Sequence, residues 1–204
     1  MRIAETYADG VFVSTPDLLE FYEGSVLLPQ PVDIAKVHDL GSMRQEYEYD
    51  QSTFTIVHAP SNRVIKGTRY IEEAVNGLRT KGYPVILKII ENMTHEEAMS
   101  TCLNADVAVD QILIGAYGMF AVEMMMLGKP VVCYIRDDLK RYYGTDLPII
   151  NATPENLVMV LEDLYHNRHN LHELGKAGNE YVSKHHDAKW IAQKTIECYD
   201  RSTE

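Results

Sequence analysis

Three places in the chain carry residue types and spacings suited to chemistry. The first is HAPSNRVIKG at 58–67, where Arg63 and Lys66 lie just before Gly67. Two cations beside the start of a following helix make an anion site. The second is DQILIGAYGM at 110–119. Gly115 and Gly118 let the backbone approach a ligand closely, and the amides of Met119 and Phe120 would open a helix able to hold a phosphate. The third is Glu123, the lone acid in GAYGMFAVEMMMLGKPVVCYI at 115–135. A carboxylate there does not serve a phosphate, but it can accept two hydroxyls of a ribose. Each place also has a plain reading: a solvated basic loop, a glycine-eased turn, and an acid complementing a helix dipole for about 0.3–1 kcal/mol. The residues alone leave both readings open. The glycine spacing is not that of a Walker A loop.

Other reactive residues point to no constellation. His58 reads as structural and His95 falls in a capping turn. His166, His169, His172, His185 and His186 read as solvated residues of polar helical faces, with no acids placed as a metal site needs. Met124 to Met126 read as core packing. No Ser-His-Asp set and no Asp-x-Asp metal motif is present.

The elements that must position these loops follow from hydrophobic rhythm. FTIVHA (54–59), PVILKII (84–90), DVAVD (106–110), PVVCYI (130–135) and LPII (147–150) read as strands. Between them, 67–82, 94–105 and 119–128 read as helices, with Thr94 and Glu97 forming a capping box and Gly128 ending the third. Three more helices follow at 153–167, 170–185 and 187–201, the first capped by Thr153. Nearly all-apolar strands alternating with helices predict an α/β fold with a parallel sheet covered on both faces, the strand at 54–58 central. Ligands of such sheets sit at the carboxyl ends of the strands, where all three places lie. Upstream, GVFVSTPDLLEFY reads as a short strand and a helix capped by Thr15. Residues 34 to 51 read as a polar linker or exposed loop.

The chain has 204 residues, 46% hydrophobic and 24% charged, with net charge -11. That balance argues against nucleic acid as a partner. Cys102, Cys133 and Cys198 form no CxxC pair, which fits a reducing compartment. Gly128, Lys129 and Pro130 break the 115–135 stretch, and Glu123 and Lys129 would both sit in lipid, so no transmembrane segment is expected there. The opening MRIAETYADG has no apolar signal-peptide core.

Taken together, EMMMLGKPVV (123–132) resembles the Glu-Ala-Met-Ala-x-Gly-x-Pro-Val-Val run of family 4 type (group 1) glycosyltransferases with the GT-B fold. Lys66-Gly67 after the first sheet strand and GAYG (115–118), similar to that family's Glu-Gly-Phe-Gly, support the resemblance. Upstream, ADGVFVSTPDLLEFY and LLPQPVD look like the last strand of the N-terminal domain and the interdomain linker. The resemblance implies a Rossmann-like domain, the C-terminal, donor-binding half of a GT-B enzyme. It implies a tail and linker at 1–33, a nucleotide-sugar-binding domain at 34–186 and a C-terminal helix at 187–204. Arg63, Lys66, Gly118, Met119 and Phe120 would hold the donor diphosphate and Glu123 the ribose. No metal or other cofactor is implied, the nucleotide diphosphate sugar being a substrate.

Three departures stand out. Gly115 replaces an acid the family places eight positions before Glu123. Ser61 stands where the family has its Arg, so that role passes to Arg63. The stretch after Ile90 lacks the Gly-Asp-Gly-Pro turn. The main catalytic groups would lie in an N-terminal GT-B domain, supplied in cis or in trans. Met1 would then be an artificial or alternative start, and the chain alone weakly active or inactive. The expected function is the donor-binding half of a retaining, nucleotide-sugar-dependent glycosyltransferase, cytoplasmic, with peripheral membrane attachment left open. The alternatives are a non-catalytic nucleotide-binding module and a sugar-nucleotide epimerase.

Overall fold

The computed structural model describes residues 8–35 and 52–202. The described residues open with two short parallel strands, Phe12–Val13 (β1) and Val26–Leu27 (β2), around a 3-10 helix at Pro16–Phe21. The expected α-helix is thus a tighter one, and the Thr15 side chain makes no capping bond. The polar stretch expected at 34–51 lies, from residue 36 on, outside the described residues.

The main sheet is built from Phe54–His58 (β3), Val85–Ile89 (β4), Val107–Val109 (β5), Val131–Cys133 (β6) and Ile150–Asn151 (β7). All pairings are parallel and the spatial order is β4-β3-β5-β6-β7. The fold class is therefore the expected one, with one correction: β5 is central and β3 lies one in from the edge. The chain adds β4 on one side of β3, then returns to its other side for β5, β6 and β7. That reversal puts the topological switch point between β3 and β5, and it opens a crevice at their carboxyl ends.

Alternation along the strands gives two cores. Val57, Ala108, Val131 and Cys133 face one side, under His95–Leu103 and Met119–Met126. Phe54, Ile56, Val107, Val109 and Val132 face the other, under Thr68–Thr80 and Leu157–His166. In chain order the helices are α1 (Arg63–Lys66), α2 (Thr68–Thr80), α3 (His95–Leu103), α4 (Met119–Met126), α5 (Leu157–His166), α6 (Leu171–His185) and α7 (Ala188–Ser202). The Thr94/Glu97 capping box is present at α3. At α5 the helix proper begins at Leu157, past the expected Thr153 cap. Asn156 turns its side chain back to the Thr153 amide at 2.8 Å, and Leu157 donates to the Thr153 carbonyl.

Helix α4 is nearly all apolar because it is covered twice, by the sheet and by α6. Gly178 of α6 makes the second contact close, since a Cβ there would stand 3.2 Å from Met125 Cβ. Gly175 lies against the Gly128 carbonyl with no room for a side chain. Lys129, buried after α4, donates to the carbonyls of Leu103 and Ala105 at 2.6 and 2.8 Å and so caps the end of α3. Among the described residues no helix is long and apolar enough to cross a membrane.

Candidate functional site

The site is assembled by the two loops flanking the switch point. After β3, Asn62 caps α1, its side chain accepting from the amides of Val64 and Ile65 at 3.0 and 3.1 Å. Helix α1 lasts one turn and ends at Gly67, where φ is 76°. A Cβ on Gly67 would stand 2.8 Å from Ile112 Cγ1. Both the left-handed backbone and this close approach require glycine. The approach brings the Ile112 amide to the Lys66 carbonyl at 3.3 Å, joining the two loops. Below them, buried His58 bridges Val109 O and Thr68 Oγ1, both at 2.8 Å, so it serves the framework, as its place in the sequence suggests.

Lys66 is thereby aimed across the crevice. Its Nζ lies 2.6 Å from Oδ1 of Asp110, the first residue past β5, and the side chains are 12% and 0% exposed. The other Asp110 oxygen accepts the Gly118 amide at 2.8 Å. A Cβ on Gly118 would lie 3.7 Å from Lys66 Nζ, so the ammonium group stands at the start of α4. Gly118 is the extended residue before α4 and provides no side-chain cap. The amides of Met119 and Phe120 lie in the first turn, where a helix has no intrahelical acceptor for them. Gln111 holds the intervening loop by donating from its side chain to the Ala116 carbonyl.

Glu123 is the fifth residue of α4, in its second turn. Its side chain is 21% exposed, and its Oε1 lies 2.9 Å from Nε2 of His95, the first residue of α3. The capping box fixes the start of α3 and with it the reach of His95 toward Glu123.

Arg63 is not brought to this point. Its guanidinium takes Glu91 in a fork, at 2.9 and 2.6 Å, and touches Glu72 at 3.4 Å. The fork with Glu91 pushes the Arg63 pKa up and holds that of Glu91 below its ordinary value. Another charged residue, Arg136, crosses Gly115. Gly115 has φ 90°, its carbonyl accepts the Arg136 amide at 2.9 Å, and a Cβ there would be 2.7 Å from Arg136 Cδ. The Arg136 guanidinium pairs with Asp138 at 2.7 Å and with Glu20, and both raise its pKa further. Among the described residues, no three His, Cys, Asp or Glu side chains gather as a metal site.

No family model matches the chain, and no curated protein does. Solved structures do. A sucrose-phosphate synthase from Thermosynechococcus elongatus is 16% identical over 95% of this chain and 58% of its own, with a TM-score of 0.69. Anabaena HepE in complex with UDP-glucose is 14% identical over 98% and 66%, with a TM-score of 0.72. WaaG, a glycosyltransferase involved in lipopolysaccharide biosynthesis, is 15% identical over 84% and 58%, with a TM-score of 0.57. The fold is that of one half of a GT-B glycosyltransferase. At these identities the likeness is one of fold. The chain spans less than two thirds of the length of each of these GT-B proteins.

The chain thus has Lys66, Gly118 and the α4 amides at one point, Glu123 one turn on, and Arg63 turned to Glu91. Three of these polar partners were not anticipated from sequence. Asp110 carried a signal, an acid closing an apolar strand at its carboxyl end. His95 carried a weaker one, as the residue after a capping threonine. Arg136 carried none, because its meeting with Gly115 depends on the backbone of both loops.

Proposed function

We propose that this chain is the donor-binding half of a retaining, nucleotide-sugar-dependent glycosyltransferase of the family 4 type. The observation that carries the reading is Lys66 Nζ at the N-terminus of α4 at the switch point, with Glu123 one turn along the same helix. In this reading Lys66 and the amides of Met119 and Phe120 hold the diphosphate through charge-assisted bonds worth about 1.5–3 kcal/mol each. Gly118 leaves room for the backbone to approach it. Arg63 reaches the outer phosphate only after leaving Glu91, a change of partner for an exposed side chain. Glu123 accepts the ribose. Acceptor binding and the main catalytic groups belong to a second GT-B domain, in cis or in trans. Transfer itself needs no bound metal in this account, because cations and amides carry the charge of the leaving diphosphate. A cytoplasmic location is part of the proposal.

The fold of UDP-sugar-bound HepE supports this reading. The test is titration calorimetry of the chain with UDP, GDP and ADP. One of these should bind, and Lys66→Ala should weaken it about tenfold or more. Identical curves for Lys66→Ala and the parent would remove the diphosphate from this place.

One observation favours a second reading, a nucleotide-binding module without catalysis. Gly115 stands where the resemblance places an acid, and the Arg136 stem leaves that position no space for a side chain. The readings separate on sugar turnover: a module shows none when the chain is supplied with its N-terminal partner.

A further inference from the structure

Asp110 places a buried acid directly behind the proposed diphosphate site, which is an unusual neighbour for an anion. One of its oxygens takes Lys66 Nζ at 2.6 Å and the other takes the Gly118 amide at 2.8 Å. It thus holds, at the same time, the cation that the diphosphate would use and the glycine just before the α4 amides. Neither contact reaches the surface, since Asp110 is wholly buried. We propose that Asp110 is a positioning residue that presets Lys66 and the glycine loop and limits the grip on the diphosphate; this rests on the donor-site reading above. Two physical effects combine. The paired carboxylate fixes a long, flexible lysine before ligand arrives, so less side-chain freedom is lost on binding. Its negative charge also stays within a few ångströms of the incoming phosphates and competes with them for Lys66. The Gly118 amide, already donating to Asp110, is not a phosphate donor. The phosphate donors are then Lys66 and the amides of Met119 and Phe120.

The effects separate in variants. Asp110→Asn keeps an oxygen for the Gly118 amide but turns a neutral amide toward Lys66. It should bind inorganic pyrophosphate and UDP about threefold or more tightly than the parent, with slower release. Asp110→Ala also drops the Gly118 anchor, and that gain should disappear. Calorimetry on the parent and both variants, each checked by thermal melting, tests this. Asparagine binding no tighter than the parent overturns the limiting role, and alanine gaining as much as asparagine overturns the anchoring role. A parent that binds neither probe overturns the donor-site reading, and this inference with it. Should Asp110→Asn fail to fold, the parent still decides. On saturation with pyrophosphate, the carboxyl carbon resonance of Asp110 should shift as Lys66 is drawn away, and an unmoved resonance in the bound protein overturns the proposal.

Discussion

Glu123 and His95 are joined across 2.9 Å, from the second turn of one helix to the first residue of another. One oxygen of the carboxylate is therefore engaged before any ligand arrives. A ribose diol must either use the other oxygen or displace the imidazole. The His95 side chain is 70% exposed, so the pair adds little to folding. His95→Ala should leave stability within about 0.5 kcal/mol of the parent. In the donor-site reading it should change nucleoside diphosphate affinity severalfold while leaving pyrophosphate affinity unchanged. Parallel calorimetric titrations with the two ligands check this.

Gly115 is a point where sequence and packing agree for a physical reason. Its φ of 90° is strained for any other residue, and the Arg136 stem fills the space beside it. Gly115→Glu, which restores the acid of the resembled family, should destabilise the chain by about 1–3 kcal/mol. Urea unfolding of Gly115→Glu and of Gly115→Glu with Arg136→Ala checks the cause. The double variant should recover part of the loss, leaving the backbone strain.

Much of this arrangement was legible in the sequence, and the illegible part has a common cause. Four strands were readable because short runs are mostly apolar, and the α3 capping box because Thr94 and Glu97 have a fixed spacing; the run read at 147–150 meets its strand, Ile150–Asn151, only at Ile150. The place of β3 was not, because strand order depends on which side of the sheet each crossover returns to. Lys66 and Gly118 were readable as loop residues at the sheet's carboxyl end. Their common partner Asp110 was not legible, because an acid beside an anion site runs against simple charge complementarity. The turn of Arg63 toward Glu91 depends on two side chains separated by 28 residues, which spacing does not encode.

Two buried histidines should make stability pH-dependent. Burial pushes the pKa of His58 and His186 below the ordinary value of 6.5. Below that value the unfolded chain takes up protons that the folded rings refuse. Stability should therefore fall as pH drops from about 7 toward the lowered folded values, by up to about 1.4 kcal/mol per pH unit for each ring. Above pH 7 this contribution should be flat. Urea midpoints at pH 5, 6, 7 and 8 measure the slope. His58→Gln, though less stable at pH 7, should show a shallower one.

The most direct test of the account is Glu123 itself. Calorimetry compares a nucleoside diphosphate that binds the chain with its 2′-deoxy form, for the parent and for Glu123→Gln. The parent should prefer the ribonucleotide by about 1.5–3 kcal/mol. Glu123→Gln should lose that preference and keep the affinity that Lys66 confers on the diphosphate. A parent that binds both forms equally would contradict ribose reading by Glu123 and displace the donor from this crevice.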